Sequence, residues 1–338
     1  MRVAIDAQLA VGTSTGIGEY VRGLALALRR LGVEVDELAK PELNPWRFDR
    51  RVLWDQVLLP ARAARSGAEL LHCASGTMPL YSPLPVVVTV HDVAWLKAQG
   101  HTRAYARYYF GRFALAHYRR AARIVVDSEF SRSELLQVCD IPKDRINVVY
   151  PGVAEDFCAL TRKPDNTQMI LIVGTVERRK NLEVLVRALP MLPGARIVSI
   201  GPPTSYQTEC EQLSYELGVA DRIDFRGYVS RDELLNAYAT CAVVAVPSRY
   251  EGFGYALAQA LCVGAPVIAS DTSSLPEVAQ GAAPLVGVDD LPGWINALRA
   301  ILESDDHANP AIRARSVERF AWQASASTML QAYRCALS

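Results

Sequence analysis

Residues 241–271 read CAVVAVPSRYEGFGYALAQALCVGAPVIASD, and their order decides the fold. Cys241 to Val246 is a short apolar run closed by Pro247 and Ser248. Such a run is how a strand buried on both faces of a parallel sheet reads. Arg249, Tyr250, Glu251 and the pair Gly252/Gly254 follow as a tight turn. From Phe253 to Val263 the only breaker is Gly254, so the composition predicts a helix, stopped by Gly264 and Pro266. Val267 to Ala269 is the next strand. The turn would gather free backbone N–H groups and the positive end of a helix dipole, a ready place for a phosphate or a developing anion. Glu251, Tyr255 and Gln259 are spaced i, i+4, i+8 and are expected along one helix face. A carboxylate, a phenol and an amide beside an anion site suit a sugar joined to a nucleotide diphosphate. On its own, Glu251 reads first as a solvated carboxylate at a helix N-terminus, stabilised by the dipole.

The longer block PSRYEGFGYALAQALCVGAPVIASDTSSLPEV, residues 247–278, resembles the donor-site signature of the group 1 glycosyl transferases, retaining enzymes with the two-domain GT-B fold. The resemblance implies an α/β protein of two doubly wound, Rossmann-like domains facing across a cleft. The N-terminal domain would take the acceptor and the C-terminal domain the nucleotide sugar. It implies that Glu251 lies at the transferred sugar and that Gly252, Phe253, Gly254 and Tyr255 border the donor. In that family a second glutamate follows and binds the ribose hydroxyls. Here Gln259 stands at that position. An amide still bonds a diol, but without the charge that strengthens the bond.

A chain of 338 residues suggests about two domains, each long enough to bury a core. Half the residues are hydrophobic and 21% are charged, as in an ordinary soluble protein. The net charge is zero, yet residues 1–152 hold 20 Lys/Arg against 15 Asp/Glu, a balance of +5, and the remainder is at −5. That excludes bulk nucleic-acid binding and leaves a mildly basic N-terminal face. The seven cysteines (Cys73, Cys139, Cys158, Cys210, Cys241, Cys262, Cys335) are scattered and contain no C-x-x-C, which predicts reduced thiols in a cytoplasmic protein. The chain opens on a strand-like MRVAIDAQLA, so neither a signal peptide nor a membrane span is expected.

Val3 to Ile5 is a first buried strand, followed by a loop with Gly12, Gly16 and Gly18 and a helix from Glu19 to Leu31. The glycine spacing is not G-x-G-x-x-G, so a nicotinamide site is not supported. GTSTGIGEY does resemble the family's first loop, which closes over donor phosphates and acceptor, and it reads equally as a plain strand-to-helix turn. Leu70 to Cys73 and Val86 to Val90 are further parallel strands. The second runs into His91 and Asp92, at the strand end where open α/β sheets place ligands. The resemblance puts this pair at the edge facing the donor sugar. Asp92 also reads as a turn cap. Residues 97–123 carry Lys97, Arg103, Arg107, Arg112, Arg119, Arg120 and Arg123 interleaved with tyrosines and phenylalanines, and no acid. This reads as a basic face with aromatic core contacts, as a contact with an anionic membrane surface, or as a site for a phosphate-bearing acceptor. After the strand Ile124 to Val126, Ser128 or Ser131 is expected to cap a helix with Glu134 in its first turn. Residues 146–153 form a last strand and a hinge at Pro151-Gly152.

The second half restarts with the strand Met169 to Val173 and the sequence GTVERRKNLEVLVRAL. A basic cluster at a strand-to-helix turn binds a diphosphate through charge and N–H groups together. The resemblance assigns Lys180 and an arginine to the leaving diphosphate. The family's arginine directly after Gly174 is replaced by Thr175, so Arg179, then Arg178, takes that role. Residues 195–200 and 223–225 are strands, and residues 213–217 are helical. The turn Gly227-Tyr228-Val229 would lie against the base in the family, or is a simple strand end. Ser230 and Glu233 form a capping box. A helix spans Leu291 to Leu302, and a last one, Ala324 to Leu337, crosses back to the N-terminal domain in the family.

The expectation is therefore three parts: an acceptor-binding domain at residues 1–153, a donor-binding domain at 154–320 and a returning helix at 321–338. Glu251, His91, Lys180 and Arg179 are the catalytic candidates. No Asp-x-Asp stands near a strand end, so neither a metal nor another cofactor is expected. The variant VGTVERRKN resembles mannosyl- and rhamnosyltransferases of surface polysaccharide assembly, which points to a GDP- or dTDP-sugar, a carbohydrate or lipid-linked acceptor and a place at the inner face of the membrane. Two other readings are a nucleotide-sugar epimerase of the same fold and a non-catalytic nucleotide-sugar-binding protein.

Overall fold

The computed structural model describes residues 1–12, 16–44, 46–94, 108–165, 168–304 and 309–338. Lys97, Arg103 and Arg107 of the basic stretch lie outside the described residues. The chain divides into two compact units, Met1–Ala154 with Phe320–Ser338, and Glu155–Arg319.

Each unit is built on a parallel six-stranded sheet. In the first, β1 (Arg2–Asp6), β2 (Glu34–Leu38), β3 (Leu70–Cys73), β4 (Val86–Val90), β5 (Arg123–Val126) and β6 (Ile146–Val148) lie in the order β2-β1-β3-β4-β5-β6. In the second, β7 (Met169–Val173), β8 (Arg196–Ile200), β9 (Ile223–Gly227), β10 (Val243–Val246), β11 (Val267–Ser270) and β12 (Leu285–Val286) lie in the order β12-β11-β10-β7-β8-β9. Each order reverses direction once, between β1 and β3 and between β7 and β10. That is the doubly wound α/β arrangement the apolar runs predict, and loops at the carboxyl ends of such a pair diverge to leave room for ligands.

The pleat sorts β1 between two layers. Val3 and Ile5 pack with Tyr20, Leu24, Leu28, Met329 and Tyr333, whereas Ala4 packs with Trp54, Leu71 and Val88. In the second unit Ile170 and Ile172 of β7 pack with Leu182, Leu185, Trp294 and Leu298. Removing each such large aliphatic side chain from water stabilises its unit by about 1.5–3 kcal/mol.

Several expected element limits move. The helix expected from Glu19 begins at Gly16, so Gly16 and Gly18 are helical and not part of a loop; Gly12 alone of the three has a positive φ, 85°. Ser128 caps the helix Glu129–Val138 through the Ser131 N–H, and Glu129, not Glu134, is the acid in its first turn. Residues 205–216 form one helix, longer than the 213–217 expected, because Thr204 caps it. The Ser230–Glu233 capping box is present. The last helix starts at Trp322, two residues early. Arg119 pairs with Asp140 at 2.8 Å, while Arg120 and Arg123 bond the carbonyls of Leu80, Asp144 and Cys335. Tyr109 and Tyr118 are buried. These described members of the basic stretch therefore form a solvated rim over aromatic core contacts. No helix among the described residues is long and apolar enough to cross a membrane.

The helix Trp322–Leu337 closes the first unit. It packs on the helix Gly16–Arg30 and is tied by the Val153 N–H to Phe320 and by the Ser325 hydroxyl to the Tyr150 carbonyl, 2.8 and 2.6 Å. The Trp322 indole lies so close to two glycines that a Cβ on Gly23 would sit 2.1 Å from it and one on Gly152 2.3 Å. Gly23→Ala is expected to destabilise the protein by about 1–3 kcal/mol, the usual cost of overpacking. Urea titration of the single variant and of the double variant with Trp322→Ala checks this. If the indole is the obstacle, the alanine costs much less in the double variant; equal costs in both backgrounds would refute it.

Candidate active site

The loops that leave β7 and β10 at the sheet's reversal point carry Thr175, Arg178, Arg179 and Lys180 on one side and Glu251, Gly252, Phe253 and Gly254 on the other. Gly174 and Gly201 bring the loops after β7 and β8 together, with φ of 132° and 151°. A Cβ on Gly201 would lie 2.1 Å from the Gly174 carbonyl oxygen, so only glycine fits. The Lys180 stem then passes 3.1 Å from where a Gly174 Cβ would be. Arg178–Lys180 form one short helical turn, ended by Asn181 in the left-handed region at φ 54°. Asn181 tolerates that conformation because its side chain is held at both ends, by Arg249 at 3.0 Å and by the Val288 carbonyl at 3.1 Å.

Glu251 is the centre of the site. Its side chain is buried, and three donors reach it. Lys180 Nζ and Ser248 Oγ donate to Oε1 at 2.6 and 2.7 Å, and Arg179 Nη1 donates to Oε2 at 3.0 Å. Arg179 also donates to the Tyr250 carbonyl at 2.8 Å and to Glu177 at 2.7 Å. The Ser274 hydroxyl holds the carbonyls of Glu251 and Phe253 at 3.0 and 2.9 Å, and Ser273 Oγ accepts from the Glu251 N–H at 3.0 Å. Burial by itself would raise the carboxyl pKa; the charges of Lys180 and then Arg179 outweigh it and push it down to about 2. Glu251 is therefore an anion locked between two cations.

The helix expected from Phe253 begins at Tyr255, with Gly254 at φ 96° as its first cap. A Cβ there would meet Leu275 at 2.7 Å. Glu251 thus stands outside the helix, in the turn, and only Tyr255 and Gln259 share the helical face foreseen for all three. No side chain caps this helix. The Gln259 carbonyl accepts from the buried Tyr238 hydroxyl at 2.9 Å. Phe253 is buried and packs edge-on to Tyr255. Arg178 is not part of the cluster: it turns away to pair with Glu209 and stacks on Tyr206. Thr175 is half-buried in the loop after β7, and Gly227 (φ 62°), the exposed Tyr228 and Val229 end β9, two strands from β7.

In the first unit, His91 follows β4 and meets Asp127, which follows the neighbouring β5. Nδ1 lies 2.7 Å from Asp127 Oδ2 and Nε2 lies 3.0 Å from the Ala74 carbonyl. A carbonyl only accepts, so Nε2 carries a proton. Burial opposes the positive charge, but Asp127 and the Ala74 carbonyl prevail and push the imidazole up to about 9. The Tyr20 ring stands edge-on at 5.0 Å. Behind it runs a buried chain in which Tyr20 bonds Thr89, Thr89 bonds His72 and His72 bonds Tyr333, at 3.1, 2.7 and 2.7 Å. Asp92 accepts from the Ala94 N–H at 3.0 Å, the turn-capping alternative.

Sequence reading missed Asp127, Ser248 and Tyr238, whereas residues 273–278 resemble a family loop that packs under the donor site, and Ser273 and Ser274 hold the backbone there. Asp127 left a signal, as a polar residue at the carboxyl end of a buried strand beside β4. Ser248 left none, although its partner Glu251 is only three residues on.

Two family models match the chain. Glycosyl transferases group 1 matches residues 155–314, and Glycosyltransferase Family 4 matches residues 14–157. A D-inositol 3-phosphate glycosyltransferase of Mycolicibacterium smegmatis is 26% identical over 98% of this chain and 89% of its own length. Among solved structures, a sucrose-phosphate synthase from Thermosynechococcus elongatus is similar with a TM-score of 0.78 at 23% identity, covering 98% of each chain. The Anabaena protein HepE, in complex with UDP and glucose, has a TM-score of 0.74 at 17% identity, over 99% of each chain. At these identities the solved structures speak for the fold, which is GT-B. With two glycosyltransferase family models that together run from residue 14 to residue 314, the chain belongs to the group 1 glycosyltransferases and is an enzyme of that class.

Proposed function

We propose that this enzyme moves a hexosyl group from a nucleoside-diphosphate sugar to a carbohydrate, lipid-linked or small-molecule acceptor, with retention of anomeric configuration and without a metal ion. The observation that carries the reading is the Glu251–Lys180–Arg179 cluster between β7 and β10. Breaking the bond from the sugar to the diphosphate leaves negative charge on the phosphate and positive charge on the ring. Lys180 and Arg179 are cations already fixed in place, so they meet the phosphate charge without reorganising. Amides at the start of the helix Tyr255–Val263 add their dipole. Glu251, ionised throughout the working pH range, orients both cations and faces the positive ring.

In this reading His91 acts through its charge and position, since Asp127 and Ala74 engage both ring nitrogens. Gly16, Gly18 and Asp92 are the donor-binding candidates of the first unit. Gly227, Tyr228 and Val229 take the base. Thr175 lies beside the diphosphate. The donor is GDP-mannose-like or dTDP-sugar-like on the sequence, and the UDP complex of HepE adds UDP-sugars. The inositol phosphate named for the mycobacterial relative favours an acceptor that carries phosphate. Polysaccharide assembly at the inner face of the membrane, with peripheral contact through residues 97–123, completes the proposal.

The test is thermal shift against GDP-, UDP-, dTDP- and ADP-sugars, with and without magnesium, followed by turnover with and without acceptor. One responder indifferent to magnesium, with turnover that requires an acceptor, supports the proposal. Conversion of the donor alone would make the protein an epimerase and overturn it.

Three outcomes follow for single variants. Lys180→Ala and Glu251→Gln should each lower turnover about a hundredfold or more, as loss of a preorganised electrostatic contact does; turnover near wild type in either removes that role. The pH dependence has a definite sign. The folded-state pKa of Glu251 is depressed from 4.5 to about 2, so its stabilisation is fully present above about 4.5 and fades as pH falls towards 2. Chemical denaturation of wild type and Glu251→Gln should therefore show a constant stability gap from pH 7 to about 5 that narrows below; a gap that changes between pH 5 and 7 would contradict the assignment. Gln259→Glu should tighten nucleotide binding in calorimetry. The buried Tyr238 hydroxyl needs an acceptor, so the glutamine presents its oxygen inward and its amide outward, whereas a glutamate offers a charged oxygen to each side. Weaker binding by the variant would show that the residue does not meet the ribose.

A further inference from the structure

The two cations at Glu251 are not held alike. Every guanidinium nitrogen of Arg179 donates within the second unit. Nε and Nη2 reach Glu177 Oε1 at 3.1 and 2.7 Å, and Nη1 reaches both the Tyr250 carbonyl at 2.8 Å and Glu251 Oε2 at 3.0 Å. A planar fork held on both edges cannot turn to a new partner without giving one up. The Lys180 ammonium is a rotating donor, and among the described residues it bonds Glu251 alone, at 2.6 Å. Glu177 holds this lysine too, through its carbonyl, which accepts from the Lys180 N–H at 2.8 Å. Its half-buried carboxylate bonds Arg179 alone among the described residues. Glu177 and Glu251 together balance Arg179 and Lys180, so the cluster is neutral. An anion beside a diphosphate site lowers the affinity for phosphate, so the use of Glu177 lies in what it does to Arg179.

We propose that Glu177 is a positioning residue for glycosyl transfer: it holds Arg179 on Glu251 and withholds that guanidinium from the diphosphate. The inference rests on reading the cluster as the donor site. The phosphate oxygens then bond Lys180, which has N–H groups to give, and meet the charge of Arg179 only at a distance. Arg179 acts through Glu251 instead. It fixes Oε2 while Lys180 and Ser248 fix Oε1, so the carboxylate that faces the sugar keeps one orientation. Without Glu177 the guanidinium would be held by Nη1 alone and would swing to the diphosphate. The nucleotide would bind better, and Glu251 would lose its donor on Oε2. Glu177 therefore gives up ground-state affinity for phosphate in return for a fixed carboxylate at the sugar, the direction in which binding energy serves turnover.

The experiment is calorimetric titration of the full-length protein with UDP, GDP, dTDP and ADP, and with UDP-glucose, GDP-mannose, dTDP-glucose and ADP-glucose. It compares wild type, Glu177→Gln, Arg179→Gln and the double variant. Glutamine keeps the length and an acceptor oxygen and removes the charge. In Glu177→Gln the free nucleotide should bind about fivefold tighter, because a like charge beside the phosphate is gone and the guanidinium is released to it. The affinity that the sugar adds, read as the ratio of the two dissociation constants, should fall about fivefold as Glu251 loses its brace. In the Arg179→Gln background the same substitution should leave that ratio unchanged, since Glu177 acts on the sugar through Arg179. A nucleotide that binds Glu177→Gln no better than wild type overturns the proposal, and so does a ratio that moves equally in both backgrounds. Equal weakening of nucleotide and sugar nucleotide overturns it as well, by making Glu177 a structural residue. If no nucleotide binds wild type, the donor-site reading itself falls and takes the proposal with it.

Discussion

A buried carboxylate between two cations governs the second unit. Taking Glu251 out of water costs several kcal/mol unless its charge is answered in place. Lys180 and Arg179 answer it, and they come from a loop about seventy residues earlier in the chain. The partners meet because β7 and β10 are neighbours in the sheet, so the loops after them start side by side. Every nearby detail serves that meeting. Gly201 lets the loop after β8 close on Gly174, Gly174 makes room for the lysine stem, Asn181 turns the chain into its helix, and Ser274 pins the Glu251 backbone. Removing one partner would leave a buried charge unanswered, so fold and site cannot be varied independently here.

The first unit solves the same problem differently. Its sheet also reverses once, between β1 and β3, and polar groups again collect at the carboxyl ends. Asp6 ends β1 and accepts from Trp54 Nε1 at 2.8 Å, while Arg51 donates to Asp55 and Thr77 at 3.0 and 2.7 Å. This buried network ties the helical residues 48–65 to the loop after β3. His91 and Asp127 form a second pair, one strand further along. In both places each charge is paired within the unit, as burial demands.

Most of the sheets were legible because a strand buried on both faces is a continuous apolar run, and LLHC, VVVTV, MILIV and VVAV read that way. The edges were not. β2 is EVDEL, half-exposed and carrying three acids, and β12 is two residues long. Helix ends were legible at the side-chain cap Ser230, missed at the side-chain cap Thr204, and displaced where glycine does the capping, as at Gly254. Of the site, Glu251, Lys180 and Arg179 could be named because the stretches that carry them resemble the group 1 glycosyl transferases; residue type and turn chemistry alone left Glu251 as a solvated carboxylate at a helix start. The resemblance ranks Arg179 ahead of Arg178, and it is Arg179 that joins the cluster; what could not be read is where Arg178 goes, which Glu209 and Tyr206 decide. Asp127 was hidden for a related reason: its partner is in the next strand, not the next turn.

The two sharpest groups are prepared with opposite charge. Glu251 is held as an anion by two cations, and His91 as a cation by one anion and a carbonyl. Each is set by contacts within its own unit, so neither charge state waits on the other unit. For His91 the setting is tight on both sides. The ring is gripped through both nitrogens, and the Tyr20 edge that packs on it is itself fixed by Thr89, His72 and Tyr333. His72 sits in that chain as a neutral ring. Burial, then the charge on His91, pushes its pKa down to about 3. The charge on one histidine thus helps to keep the other uncharged, and the C-terminal helix that supplies Tyr333 is bonded into the support of the residue that follows β4.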